Sequence, residues 1–178
     1  MDKYVAFLRG INVGGRKKIK MAELQEAFES SGFQNIKTVL ASGNVLFETP
    51  KTNTNVLIKN IEENLKKTFG FEVGVIVRTL EDIQKLVDVN PFKNIKVTPQ
   101  TILYVTFLSE KPNNRLNIPY ESPNKDFKIL SVSESEVLSV LILTSKFNTT
   151  DSMKILEKEF GKKITTRNWN TLKKITEL

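Results

Sequence analysis

Apolar and polar residues follow strand and helix periods in turn along the first half of the chain. Residues 4–8 form a short apolar run typical of a buried strand, and residues 21–31 carry apolar side chains at helical spacing before Gly32. Residues 36–49 are rich in strand formers, interrupted at Ser42-Gly43-Asn44. This interruption indicates either two strands joined by a tight turn or one bent strand with a bulge.

The next elements complete a β-α-β-β-α-β order. A helix is predicted from a cap at Thr54 or Asn55 to a terminating Gly70, and a strand is predicted over residues 71–77. This order is the split βαβ arrangement called ferredoxin-like, in which two helices cover one face of an antiparallel sheet.

The second half of the chain echoes the first. The run "LYVTFL" at 103–108 mirrors "KYVAFL" at 3–8, and three prolines between 109 and 126 argue against a long helix there. The elements predicted after it are a hairpin over 127–132 and 136–143, a helix capped by Thr150 or Asp151 and ended by Gly161, a short strand at 164–165, and a final helix over 168–178. We therefore predict an α+β fold of two ferredoxin-like (βαββαβ-type) halves from an internal duplication, with a degenerate first helix in the second half.

The length of 178 residues suits one compact domain or two small ones sharing a core. We expect a first α/β subdomain over 1–78 and a second over 100–178 that includes the C-terminal helix. Between them, residues 79–99 form a connecting helix, capped by Thr79 and stopped by Asn90-Pro91, and a linker.

Composition restricts the chemistry that is available. The chain contains no histidine and no cysteine, so intact Ser-His-Asp and Cys-His hydrolases, thiol catalysis and typical zinc sites are excluded. No Asp-x-Asp cluster suggests magnesium, and we predict no cofactor. Glu62, Glu63, Glu157 and Glu159 lie among lysines on predicted helices, where i,i+4 pairing with Lys66, Lys67 and Lys163-type neighbours is expected instead of acid–base work.

The chain is basic, with a formal net charge of +7, of which residues 1–90 carry +2 and residues 91–178 carry +5. Lysine supplies 22 of the 27 basic residues. Such a positive field favours anionic partners without identifying them. No apolar run approaches the length of a membrane span and no signal peptide is evident, so a cytoplasmic location away from membranes is expected.

The stretch "RGINVGGRKK" contains the parts of an anion site. Asn12, Gly14 and Gly15 tolerate unusual backbone angles, so successive N–H groups can point into one concavity. Arg16 and Lys18 follow just before a predicted helix, whose N-terminus adds partial positive charge. The spacing matches neither the P-loop nor G-x-G-x-x-G, and because short glycine motifs often occur without a ligand, a mobile surface loop with a solvated basic end is the favoured alternative.

Two further groups of polar residues have competing interpretations. Ser42 and Asn44 either converge with Arg9 and Asn12 on a polar ligand or, as turn residues, only join the turn to the glycine loop, which is the interpretation we favour. In the C-terminal segment "KKITTRNWNT", the spacing of Trp169 with Leu172 and Ile175 favours a core position for the indole over base stacking. Thr166 or Asn168 is then the helix cap, and Arg167 and Asn170 remain the functional candidates.

The motifs "FLRGINVGG", "ASGNVLF" and "TTRNWNTLKKI", spread over the whole chain, resemble the DUF1697 family. This resemblance implies a bacterial protein with an α+β fold of two similar subdomains, which agrees with the duplication inferred above. It implies no reaction and transfers no catalytic residue.

The leading functional prediction is a non-catalytic binding module for an anionic ligand, either nucleic acid or a phosphorylated metabolite. The predicted ligand contacts are Arg9, Asn12, Gly14, Gly15, Arg16, Lys18, Ser42, Asn44, Arg167 and Asn170. The alternatives are an enzyme acting on a small phosphorylated substrate through a carboxylate or lysine, and an interaction or structural protein, which includes a homodimer. Strand aromatics Phe7, Phe47 and Phe107 are expected in the core, which lowers the RNA-stacking interpretation.

Overall fold

The computed structural model describes residues 1–113 and 115–178. Over these residues the protein is α+β, with two antiparallel sheets and five helices. The chain forms two compact units, which we call unit 1 (residues 1–89 with 173–178) and unit 2 (residues 90–172).

Unit 1 is built around a four-stranded sheet. Its elements are β1 (Asp2–Leu8), α1 (Met21–Ser30), β2 (Gln34–Val39), β3 (Asn44–Thr49), α2 (Thr54–Phe69), β4 (Val75–Thr79) and α3 (Leu80–Val89). The strand order is β2-β3-β1-β4, so β1 lies in the centre and pairs antiparallel with both β3 and β4. Alternate residues of β1, β3 and β4, including Ala6, Phe47 and Val77, pack with α1 and α2 in one buried core.

Local sequence signals predicted most of these elements. Of the two alternatives for residues 36–49, the structure shows two strands, separated by residues 40–43, and Gly70 ends α2 with a φ of 79° as predicted. The cap of α2 is Asn53, not Thr54 or Asn55, because the Asn53 side chain accepts a hydrogen bond from the Asn55 amide at 2.8 Å.

Strand β4 begins at Val75 and not at residue 71. Its partner β1 ends at Leu8, which pairs with Val75 in the last register position, so residues 71–74 have no strand to pair with.

Unit 2 contains a five-stranded sheet in the order β6-β7-β8-β5-β9. Its strands are β5 (Thr101–Leu108), β6 (Tyr120–Glu121), β7 (Phe127–Val132), β8 (Glu136–Ile142) and β9 (Ile164–Asn168), and its helix α4 spans Thr149–Phe160. The last helix, α5 (Trp169–Thr176), begins in unit 2 and ends in unit 1. The first long strand of the unit is again an inner strand, since β5 pairs antiparallel with both β8 and β9.

Two sequence predictions in unit 2 are corrected. Asn148 caps α4 in place of Thr150 or Asp151, and Asp151 occupies the third helical position of a capping box, where it accepts from the Asn148 amide. Strand β9 extends to Asn168 instead of stopping at residue 165, because it pairs with β5 along its whole length. Thr166 and Arg167 are therefore strand residues.

The predicted core aromatics are confirmed. Phe7, Phe47 and Phe107 are at most 1% exposed. Trp169 is 5% exposed, and its ring meets the Phe92 ring edge-on with the centroids 5.2 Å apart. Neither the strands nor the final helix therefore offers these rings to a nucleic-acid base.

Candidate functional site

The loop after β1 folds into a small hairpin, residues 12–18, which we call the basic hairpin. The Arg16 amide donates to the Val13 carbonyl at 3.1 Å, and the Asn12 amide donates to the Lys17 carbonyl at 3.2 Å. Gly14 and Gly15, with φ of 59° and 72°, form the turn between them. Positive φ at both central residues is the property of a type I′ turn, and glycine adopts it at no steric cost.

This geometry differs from the predicted concavity of amide groups. The amides of Asn12 and Arg16 are used inside the hairpin, so the N–H groups of residues 12–16 do not all point at one anion. Within the described part of the chain, the Gly14 and Gly15 amides donate to no protein acceptor and lie at the exposed turn. The tip of the turn therefore offers the amides of Gly14 and Gly15, and not all five amides of residues 12–16.

The Asn12 side chain holds the base of the basic hairpin. Its Nδ2 donates to the carbonyls of Ile19 at 3.0 Å and Ala41 at 2.9 Å, and its Oδ1 accepts from the Ile19 amide at 2.8 Å. Asn12 also adopts a φ of 55°, which asparagine tolerates better than most residues. These three bonds involve both the Nδ2 and the Oδ1 of the Asn12 side chain. They fix the loop to itself and to the turn before β3.

Lys17 makes a second connection. Its φ is 47°, and its Nζ donates to the Glu72 carbonyl at 2.7 Å and lies 5.9 Å from the centre of the Phe71 ring. The Glu72 carboxylate itself is paired with Lys66 at 3.0 Å, and the Lys66 hydrogen bond and charge lower its pKa. Lys17 is thus directed at the segment before β4, whereas Arg16 and Lys18 are exposed.

Arg9 lies half-buried where β1 leaves the sheet. Its amide donates to the Gly74 carbonyl at 2.8 Å. A Cβ atom at Gly74 would stand 2.7 Å from Arg9 Nη2, so the guanidinium lies directly against this glycine. Absence of a side chain at residue 74 is what makes room for the arginine.

The turn before β3 fits closely against the same loop. Asn44 is fully buried, and its Nδ2 donates to the Val39 carbonyl at 2.8 Å and to Ser42 Oγ at 2.9 Å. Gly43, with a φ of 80°, leaves no room for a side chain, since a Cβ there would lie 2.8 Å from both Leu8 Cβ and Ile11 Cδ1. The hydrogen bonds of Asn44 and Ser42 thus organise the turn itself.

The two C-terminal candidates lie in unit 2 and differ in exposure. Arg167 is only 8% exposed, and its Nη1 donates to Thr165 Oγ1 at 2.7 Å and to the Thr166 carbonyl at 2.9 Å. Burial lowers the pKa of the Arg167 guanidinium to about 10. Asn170, on α5, is exposed. The eight candidates from Arg9 to Asn44 belong to unit 1, and six of them (Arg9, Asn12, Gly14, Gly15, Arg16 and Lys18) lie within the loop between β1 and α1.

Acidic residues form no candidate metal site in the described residues. No group of three or more Asp and Glu side chains there is arranged to hold a metal ion. Glu63 pairs with Lys59 at 3.9 Å, and Glu62 accepts from the Val75 amide at 2.9 Å, so the predicted pairing with Lys66 and Lys67 is wrong. Over residues 1–113 and 115–178, no helix combines the length and apolarity that crossing a membrane requires.

Sequence reasoning missed three residues that shape the loop. Lys17, Gly43 and Gly74 were not among the predicted contacts, yet each sets the position of a loop segment. Gly74 carried a signal, because a glycine among strand-forming residues indicates a bulge or a close approach of another group. The Lys17 contact with Glu72 spans 55 positions and left no local signal.

Comparison with known proteins gives a family and a fold. The structure of the conserved bacterial protein SP0830 from Streptococcus pneumoniae matches with a TM-score of 0.74 and 21% identity, over 99% of this chain and 97% of that one. This likeness concerns the fold alone. No curated protein matches the sequence. The family model described as "Protein of unknown function (DUF1697)" matches residues 1–137, and the chain therefore belongs to the DUF1697 family.

Proposed function

We propose that the protein is a non-catalytic binding module for an anionic, phosphate-bearing ligand, and that the basic hairpin is its contact surface. The observation that supports this most directly is the exposed Arg16-Lys17-Lys18 run beside two exposed glycine amides at a turn of fixed geometry. Guanidinium and ammonium groups form charge-assisted hydrogen bonds with phosphate oxygens, and turn amides add neutral donors.

The unusual backbone conformation of this loop supports the same proposal. Five of the eight residues from 10 to 17 have positive φ, and two of them, Asn12 and Lys17, are not glycine. Such conformations cost about 1–3 kcal/mol each at non-glycine residues and persist only where surrounding contacts hold them. Here the Asn12 side chain and the Lys17 ammonium supply those contacts.

Among the predicted contacts, we assign direct ligand contact to Arg16, Lys18, Gly14 and Gly15. Asn12, Ser42 and Asn44 act as positioning residues, because their polar side chains bond to the protein. Arg9, which reaches the surface beside Gly74, is placed with the contacts.

A protein partner in place of a phosphate is the second candidate. Val13 is 68% exposed in the basic hairpin, and Leu40 is 50% exposed next to the residue whose carbonyl Asn12 binds. Two exposed apolar side chains beside a basic loop fit an interaction protein, including one that binds a second copy of itself. An enzyme acting on a phosphorylated substrate without histidine or cysteine remains the third alternative.

Thermal unfolding in the presence of phosphate, pyrophosphate and nucleotides tests the proposal. A ligand at a hundred times its dissociation constant stabilises the folded state by about 2.7 kcal/mol, which raises the melting temperature by several degrees. We expect a saturable rise for at least one compound, and its loss in the double variant Arg16→Gln/Lys18→Gln.

The matched control is Lys51→Gln/Lys67→Gln, which removes two exposed charges from unit 1 outside any ion pair of the described residues. Equal loss in both double variants, or no binding of any of these anions or of a nucleic-acid duplex, contradicts the proposal.

We also propose that the two sheets derive from an internal duplication of a ferredoxin-like unit, 1–78 and 100–178, joined by residues 79–99. Both sheets contain the order second, third, first and last strand of their half, with β6 added in unit 2. The hydrogen bonds at the ends of β1 and β5 support this relation. Leu8 donates to Gly43 just before β3 and Leu108 to Ser135 just before β8, while Arg9 and Ser109 donate to Gly74 and Lys163 just before β4 and β9. A cytoplasmic location is part of the same proposal.

A further inference from the structure

The tip of the basic hairpin protrudes from unit 1. A Cβ atom built at Gly10 or Gly14 meets nothing within 4 Å, and one at Gly15 meets only Lys18 Cε at 4.0 Å. Every residue from 13 to 18 is exposed. Small-molecule sites, by contrast, are concave and cover most of the ligand surface. A protruding basic tip suits an extended polyanion better than a small phosphorylated compound.

We propose that the ligand is the sugar–phosphate backbone of double-stranded nucleic acid, contacted by Arg16 and Lys18 at the tip of the basic hairpin. This inference rests on the anion-binding function proposed above and names the class of ligand. The ammonium of Lys17 is directed to the Glu72 carbonyl, so it holds the tip while its neighbours contact phosphates.

Within residues 1–90, positive charge is concentrated in the loop after β1. Residues 9–20 carry five basic side chains and no acidic one. The other residues of 1–90 carry eight basic and eleven acidic side chains, a net charge of −3, whereas residues 91–178 carry +5. In this half of the chain, a local positive site among acidic neighbours favours contact of a polyanion with the loop over contact with the rest of the half.

The aromatic residues favour a duplex over a single strand. Proteins that bind single strands stack the bases on exposed aromatic rings, each worth about 1–3 kcal/mol. All 15 aromatic residues lie in the described part of the chain, and none of them is exposed. Base stacking on exposed rings is therefore not available in the described residues. The contacts that we propose are to phosphates, and these are sequence-independent.

Fluorescence anisotropy with a labelled mixed-sequence DNA duplex of about 20 base pairs tests this inference, with salt varied from about 50 mM to 200 mM. We expect the wild-type protein to bind the duplex more tightly than either of its separated strands. Each phosphate contact contributes about 0.9 to the slope of log affinity against log salt, so Arg16→Gln/Lys18→Gln lowers the slope by about 1.8. We expect the same variant to weaken binding about tenfold or more at the lowest salt.

The control Lys51→Gln/Lys67→Gln distinguishes binding at the basic hairpin from non-specific attraction of the duplex to a positively charged protein. It is expected to keep the wild-type slope within about 0.5. Equal weakening by both double variants, or tighter binding of the single strand, overturns the inference.

Melting curves recorded in parallel with pyrophosphate distinguish failure of the duplex inference from failure of the proposed anion-binding function. Stabilisation by pyrophosphate that depends on Arg16 and Lys18, without duplex binding, overturns the duplex inference and leaves the proposed function standing. If neither pyrophosphate nor the duplex binds, both fall.

Discussion

β1 and β5 are both inner strands of their sheets, but the loops that follow them differ completely. Both strands carry the same Tyr-Val-x-Phe-Leu run and donate from their last leucine and the next residue to the residues just before two neighbouring strands. After β1 the chain forms the basic hairpin and α1, whereas after β5 it forms the short strand β6 and no helix in the described residues. The same pattern of backbone hydrogen bonds at the strand end is therefore followed by two different loops.

The acceptor positions show what the first loop requires. In unit 1 both acceptors are glycines, Gly43 and Gly74, and each makes room for a loop side chain, Ile11 at one and Arg9 at the other. In unit 2 the corresponding acceptors are Ser135 and Lys163, which carry side chains. Glycine at these two positions is thus associated with the basic loop and not with the strand arrangement.

Gly43→Ala has the largest expected effect. The added Cβ would lie 2.8 Å from Leu8 Cβ and Ile11 Cδ1 at a φ of 80°. Overpacking and left-handed backbone together cost about 3–5 kcal/mol. Urea denaturation measures this loss. Gly32→Ala, with a φ of 83° and nothing within 4 Å of the new Cβ, is the control and should lose only about 1–2 kcal/mol. Equal losses would mean that Ile11 does not pack against this turn.

Asn12→Ala tests the hydrogen bonds that hold the basic hairpin. Three bonds to backbone groups are lost, at about 1 kcal/mol each, so denaturation should show a loss of about 2–4 kcal/mol. Asn117→Ala, an exposed position in the loop after β5, should change stability by less than about 0.5 kcal/mol. A loss below about 1 kcal/mol at Asn12 would show that the loop is not held by this side chain.

Arg167→Ala separates the two groups of predicted contacts. Removing a buried side chain that donates to Thr165 and Thr166 should cost about 2–3 kcal/mol. Arg16→Ala, at an exposed position, should leave stability within about 0.5 kcal/mol. The reverse order of effects in denaturation would contradict the burial of Arg167 and the exposure of Arg16.

Gly74→Ala has the smallest expected effect on stability. The new Cβ meets the end of the flexible Arg9 side chain, which can move aside, so unfolding should change by less than about 1 kcal/mol. If Arg9 contacts the ligand, the same change weakens anion binding. A variant that binds pyrophosphate as tightly as the wild type would remove Arg9 from the contact surface.

Periodicity and local turn chemistry were enough to predict most of this fold. The helix ending at Gly70, the connecting helix over 80–89 and the core position of Trp169 all follow from spacing within a few residues. The helix caps at Asn53 and Asn148 were missed by one to three residues, because several cap-forming side chains stand side by side in each segment.

The candidate site was predictable only in part. The positive φ values of Asn12, Gly14 and Gly15 followed from the sequence, since asparagine and glycine mark such turns. The use of the Asn12 and Arg16 amides inside the hairpin did not, because it depends on which residues pair across the turn. Burial of Arg167 depended on the length of β9, which is set by pairing with a strand about 60 residues earlier.

Backbone-amide NMR spectra recorded during titration with pyrophosphate show directly whether the basic hairpin binds an anion, because they compare the loops after β1 and β5 in one sample. We expect saturable changes in the amide chemical shifts of Gly14, Gly15, Arg16 and Lys18, and no change in those of the loop after β5. Shifts centred on that second loop, or uniform small changes at lysines over the whole surface, would contradict binding at the basic hairpin.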